Sequence, residues 1–280
     1  TPEIVVERAK EYFDGISESP TACAMKHFPG DGMDERDQHV VTSYNTLGYD
    51  EWNKTYGHVY REMIGHGVQS IMIGHIGAPE LSRHFRPGLA DKDILPATLA
   101  PELLQDLLRG ELGFNGLILT DASQMIGLTQ ALKRKDLFPA TIASGCDMFL
   151  FFRNADEDFR YMLDGYKSGV ITEQRLHDAL RRILALKASL GLHLTARNEL
   201  VPPVEALAKI GSAAHRAVAA EIADKTVTLV KDTAKNLPIR PETHKRIRLY
   251  GISGGPDFTL ADPLAYLDTV KVELEKAGFE

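Results

Sequence analysis

The sequence is short of cysteine, of tryptophan and of long apolar runs, and each shortage narrows what the chain can be. Its two cysteines, Cys23 and Cys146, each lie inside an apolar run and share no ligand-like spacing, so they read as buried free thiols rather than a disulfide. That usage favours a reducing compartment, and a cytoplasmic setting is expected. No apolar run approaches the roughly 18 to 20 residues that a membrane-spanning helix needs, so no membrane is expected as a partner. The formal net charge is −7, and Lys and Arg form no cluster dense enough to track phosphates, which argues against a nucleic-acid partner. An initiator Met and a basic-then-apolar leader are also missing. The chain opens Thr1-Pro2-Glu3 straight into a helical pattern, and the native start is expected to lie outside it.

What is present is enough for a real core. Over 280 residues the composition is 44% hydrophobic and 25% charged, which suits one large or two medium globular domains. Apolar spacing predicts a helix from Pro2 to Gly15 with Ile4, Val5, Ala9 and Tyr12 on its buried side, then a strand from Thr21 to Phe28. Asp50 to His66 reads as a helix burying Trp52, Tyr56, Val59, Tyr60 and Met63, and Val68 to His75 as the next strand. A Gly-, Pro- and Arg-rich loop from Ile76 to Pro96 leads to a helix at Pro101 to Leu112, with Pro101 in its first turn.

Phe114-Asn115-Gly116 then turns the chain into Leu117 to Asp121, apolar enough to be a strand buried on both faces. Short helices are expected at Ser123 to Leu132 and Phe138 to Ser144, and a fourth strand at Cys146 to Phe152. Helices at Ala155 to Lys167 and Thr172 to Leu190 follow, the last closed by Gly191. Leu194 to Val204, with Asn198 and Pro202-Pro203, has the composition of a linker. Beyond it a helix (Ala206 to Ala223), two strands (Thr226 to Lys231 and Arg246 to Ile252) and a helix near Leu264 to Ala277 read as the start of a second α/β domain.

Strands alternating with helices call for a parallel sheet with right-handed crossovers, either doubly wound or part of a (β/α)8 barrel. Polar residues favour the barrel. His27, His75 and Asp121 fall at or just past the C-terminal ends of successive strands, the face on which barrel enzymes assemble their chemistry. Lys26 and His27 sit where the first strand becomes loop, and Asp37-Gln38-His39 sets a carboxylate beside an imidazole shortly afterwards. That is the wiring of a tuned proton donor, although most charged loops serve solubility alone.

Three segments together carry a resemblance: Lys26-His27-Phe28-Pro29-Gly30 running on to Asp37-Gln38-His39, then Ile71-Met72-Ile73-Gly74-His75, then Gly113 to Met125. In order and spacing they resemble glycoside hydrolase family 3, on its β-N-acetylglucosaminidase branch, over roughly residues 20 to 190. The resemblance implies the C-terminal half of a (β/α)8 barrel (1–193), a linker (194–205) and the beginning of an αβα sandwich domain (206–280). It implies hydrolysis of a terminal β-linked sugar with retention, without a cofactor or a metal. Asp121 would be the nucleophile, His39 the acid/base oriented by Asp37, and Lys26 and His27 the donors to sugar hydroxyls. His75 would line the same pocket, and Met125 would pack under the ring or fill core. Gln38, where the pattern has a small residue, and Asp31 are departures from it.

Alternatives stay open at this stage. A β-glucosidase of the same family would not depend on His39. A phosphorolytic variant suits a histidine acid, because phosphate approaches a cation more readily than an anion. A metal module on His27, Asp37, His39 and His75, and a sugar-binding relative without activity, are the readings from other classes. Asp121 could also serve only as a helix N-cap, and Trp52 is expected in the core. With four strands of eight visible, half a barrel would leave open sheet edges, so a missing N-terminal half of the barrel is the expected partner.

Overall fold

The computed structural model describes residues 1–252 and 264–280. Two compact units divide it, Thr1–Val201 and Pro202–Glu280.

In the first unit helix α1 (Pro2–Ser17) leads into strand β1 (Ala24–Phe28), a two-residue strand β2 (Ser43–Tyr44) and helices α2 (Tyr49–Lys54) and α3 (Tyr56–Gly65). Strands β3 (Ser70–Ile73) and β4 (Ile76–Gly77), helix α4 (Pro79–Phe85), a π-helix (Glu102–Glu111) and strand β5 (Leu117–Ala122) follow. Helices α5 (Ile126–Thr129) and α6 (Arg134–Ser144), strand β6 (Met148–Leu150) and helices α7 (Ala155–Lys167) and α8 (Glu173–Ser189) complete it. Four strands pair in parallel in the order β1-β3-β5-β6. This is an arc of a (β/α)8 barrel, as expected.

Register sets the site. Phe28 lies opposite Ile73, Ile73 opposite Thr120, and Ala122 opposite Leu150, so the residues just beyond these positions emerge at one end of the sheet. Phe28, Ile71, Ile73, Ile118, Leu103, Leu104 and Leu107 form the buried layer between sheet and helices. Strand side chains alternate, so Ile118 in that layer puts Asp121 on the opposite face of β5.

Several expectations need correction. In α1 the buried residues are Val6 and Phe13, with Ala9 packed beside them, whereas Ile4, Val5 and Tyr12 are exposed. Both sets keep helical spacing, and only the position of the sheet chooses between them. The helix expected across Asp50 to His66 is broken at Thr55, and its second half turns so that Gly57 packs on the Trp52 ring. The Ile76 to Pro96 loop holds β4 and α4. In the second unit α9 (Ala213–Thr226) starts later than expected, and α10 (Ala265–Lys276) lies where a helix was predicted. The two strands expected there pair in no ladder among the described residues. Val227, Leu229, Val230 and Ile252 stay exposed, since an apolar run becomes a strand only when a neighbour takes up its backbone groups.

Candidate active site

The loop that leaves β1 is pinned at its start. Trp52 Nε1 donates to the Pro29 carbonyl at 2.6 Å, Asn45 Nδ2 to that of Gly30 at 3.1 Å, and the Tyr56 hydroxyl to that of Asp31 at 2.8 Å. Gly30 has φ +133°, and a Cβ there would lie 2.3 Å from the Tyr56 ring, so glycine is required twice over. Further on, Asp34 accepts from the Arg36 guanidinium at 2.6 Å and from the Tyr44 N–H at 2.9 Å. The Arg36 hydrogen bonds, more than any other contact, hold the Asp34 carboxyl well below its usual range. That charged pair is structural.

The far end of the loop docks on the segment that follows Asp121. Gly127 N–H donates to the Gln38 carbonyl at 3.1 Å, Ile126 N–H to that of His39 at 3.0 Å, and the Thr42 hydroxyl to the Gly127 carbonyl at 2.8 Å. A Cβ on Gly127 would fall 2.5 Å from the Gln38 carbonyl oxygen, so this close approach needs glycine.

Asp121 is the last residue but one of β5, its side chain 15% exposed. Its Oδ1 accepts from the Ala122 N–H at 2.7 Å, and its Oδ2 lies 3.4 Å from His27 Nε2. It caps no helix, since β5 runs on through Ala122 and α5 begins only after Met125. His27 Nδ1 lies 3.2 Å from Asp31 Oδ2, which places the ring between two carboxylates. Lys26 is exposed beside it. Both line a cavity of about 520 Å³ with Asp31, Met33 and Tyr56, a volume suited to a small ligand.

His39 and Asp37 form the expected pair. Nδ1 lies 2.7 Å from Asp37 Oδ1, which also accepts the His39 backbone N–H at 2.9 Å. That N–H, followed by the ring, lowers the Asp37 carboxyl below its ordinary value and keeps it an acceptor. With Nδ1 so occupied, Nε2 is left to act. The two side chains are 68% and 64% exposed. Among the described residues no hydrogen bond or ion pair joins the His39 ring to Asp121, and the loop backbone on Ile126 and Gly127 connects them.

His75, expected to line the same pocket, has its side chain taken up by the protein. It is fully buried, and Nε2 lies 3.0 Å from the Ala122 carbonyl, which can only accept, leaving Nδ1 to accept from the Thr98 hydroxyl at 2.8 Å. Its ring therefore holds the backbone next to Asp121. Met125 is also buried. Among the described residues no three His, Cys, Asp or Glu side chains are gathered as a metal site would need.

Burial lowers the His75 pKa from 6.5 to about 4, against the opposing pull of the Ala122 carbonyl and Asp121 and with help from the charges of His27 and His39. The unfolded chain thus binds the extra proton between those pH values. Stabilisation is complete above pH 6.5 and lost as the pH falls towards 4. Denaturant titrations at pH 7 and pH 4 are expected to show a loss of roughly 3 kcal/mol from this group, and His75→Gln should flatten the slope.

The sequence marks Gln38 only as a departure from the family pattern and gives no sign of Asn45, Thr98 or Gly127, whose roles depend on contacts far apart in the chain.

Comparison with known proteins agrees with the fold and the motifs. Residues 1–186 match the glycosyl hydrolase family 3 N-terminal domain. A beta-N-acetylglucosaminidase/beta-glucosidase of Cellulomonas fimi is 49% identical over 251 residues, covering 90% of this chain and 44% of its own. A beta-hexosaminidase of Tolumonas auensis is 32% identical over 55% of this chain and 43% of its own. Among solved structures, the beta-glucoside phosphorylase BglX bound to 2FGlc superimposes with a TM-score of 0.86 at 41% identity, over 100% of this chain and 49% of that one. A family 3 β-N-acetylglucosaminidase from Paenibacillus sp. str. FPU-7 gives 0.62 at 26% identity, over 69% of this chain and 36% of that one. The chain thus spans less than half the length of these curated relatives. A family match across two thirds of the chain, on a parallel-strand frame with the motifs at one end, places this protein in glycosyl hydrolase family 3.

Proposed function

We propose that residues 1–193 carry the catalytic groups of a retaining β-glycosidase acting on terminal β-linked N-acetylglucosamine or glucose, with 194–205 as linker and 206–280 as the start of a sandwich domain. The observation that carries this reading is the docking of the His39 loop on Ile126 and Gly127, which ties an oriented imidazole to the strand that carries Asp121. Asp121 attacks the anomeric carbon, forming a glycosyl ester as the aglycone leaves. His39, held through Nδ1 by Asp37, gives its Nε2 proton to the departing oxygen, and the neutral ring then deprotonates the incoming water. Lys26 and His27 donate to sugar hydroxyls and hold the ring over the carboxylate.

A second reading changes only the acceptor. The beta-glucoside phosphorylase relative matches the whole of this chain, and a neutral imidazole does not repel phosphate as a carboxylate base would. Turnover of aryl β-N-acetylglucosaminide and aryl β-glucoside by the full chain, with and without phosphate, separates the two. Hydrolysis predicts free sugar at a phosphate-independent rate, and phosphorolysis predicts sugar 1-phosphate at a rate that rises with phosphate. Under either, His39→Ala is expected to lower kcat about a hundredfold on substrates with poor leaving groups and much less on activated aryl substrates. Equal losses on both would remove His39 from the acid role.

A further inference from the structure

Gln38 and Asp31, the two departures from the family pattern, touch one another in the fold. Gln38 Nε2 donates to Asp31 Oδ2 at 3.1 Å, Gln38 Oε1 accepts the His75 backbone N–H at 2.7 Å, and the Gln38 carbonyl accepts the Gly127 N–H at 3.1 Å. A single residue, 5% exposed, thus ties the far part of the loop to its start at Asp31, to His75 just past β3 and to Gly127 in α5. The Asp31 oxygen that it meets also lies 3.2 Å from His27 Nδ1, and His27 Nε2 lies 3.4 Å from Asp121.

Resting on the retaining-glycosidase reading, we propose that Gln38 is a positioning residue: its side-chain amide, clamped between Asp31 and the His75 N–H, sets where the neighbouring Asp37–His39 pair stands relative to Asp121. The His39 and Asp37 side chains are themselves exposed, so besides the His39 carbonyl on the Ile126 N–H the buried residue between them is what anchors the pair. The clamp needs one donor facing a carboxylate and one acceptor facing a peptide N–H, at the length of a glutamine. Glutamate would put a second carboxylate against Asp31, asparagine is a methylene shorter, and alanine would leave a buried N–H without its acceptor. A small residue at this position would remove the side-chain links to Asp31 and His75 and leave the Asp37–His39 stretch to its backbone bonds with Ile126 and Gly127 and to the Thr42 hydroxyl.

The test uses the full chain with Gln38→Ala, the isosteric Gln38→Glu, and the double substitution Asp31→Asn with Gln38→Glu, which exchanges donor and acceptor. Hydrogen–deuterium exchange of peptides covering residues 31–42 is expected to quicken about tenfold in both single variants, while the rest of the first unit keeps its protection. In the same variants kcat is expected to fall roughly 10- to 100-fold with KM nearly unchanged. The double variant should recover loop protection. Unchanged exchange in the single variants, or no recovery in the double, overturns the clamp. A loop that loses protection while kcat stays at the wild-type value overturns the catalytic reading of His39, and with it any part for the clamp in catalysis.

Discussion

Asp121→Ala is expected to lower glycosidic-bond cleavage by about four orders of magnitude or more, with the fold and the affinity for substrate largely intact. Only a carboxylate that stays ionised can form the glycosyl ester and leave again when an acceptor attacks, and among the described residues no neighbour replaces it. Asp31 faces the far side of His27, and the Asp37 carboxylate is occupied by the His39 backbone and ring. A 2-fluoro sugar should trap the intermediate, and peptide mass mapping should find the adduct on the β5 segment that holds Asp121. Wild-type turnover in Asp121→Ala, or an adduct elsewhere, would falsify the assignment. Little structural cost is expected, because the carboxylate is 15% exposed and its hydrogen bond is to the next N–H in the chain.

Asp147→Asn is expected to act in the opposite way, costing about 3 to 5 kcal/mol of stability while sparing turnover per folded molecule. Asp147 precedes β6, and its N–H donates to the Ile118 carbonyl at 2.7 Å, at the end of the sheet away from Asp121. Its fully buried carboxylate accepts from Arg109 Nη2 and the Ile118 N–H, at 2.7 and 2.9 Å. Arg175 meets its other oxygen, and Arg182 Nη1 lies 3.8 Å from that oxygen. Burial works against these cations, lowering the Arg109 pKa to about 10, and Arg109 still donates to the Phe114 and Gly116 carbonyls at 2.7 Å. Removing the only carboxylate that the three guanidiniums share among the described residues leaves their charges uncompensated in a low-dielectric site. Denaturant unfolding would measure the loss. A midpoint unchanged from the wild type would mean that the carbonyls and water carry these arginines unaided.

Much of this architecture is legible in one dimension. The runs at Leu117 to Asp121 and Ala155 to Lys167 sit within a residue of their observed elements, since both are set by short-range pattern and by caps such as Asn154. Asp37 and His39, two residues apart, need only a local turn to meet. The bridge from Gln38 to His75 spans 37 residues and is invisible to local reading. So is the direction of the His75 ring, which turns to the Ala122 carbonyl, whereas its place after β3 suggested only that it lines the pocket.

By itself the sequence determined the order of the four main strands and of the helices between them in the first unit, the end of the sheet at which the polar groups emerge, and the pairing of Asp37 with His39, because each depends largely on neighbours close in the chain. Only the tertiary structure decided which face of α1 is buried, that two apolar runs of the second unit remain unpaired among the described residues, and that Gln38 and Asp31 meet. Those outcomes depend on which distant groups are free to take up a hydrogen bond or an apolar surface, and that is settled only once the strands have come into register.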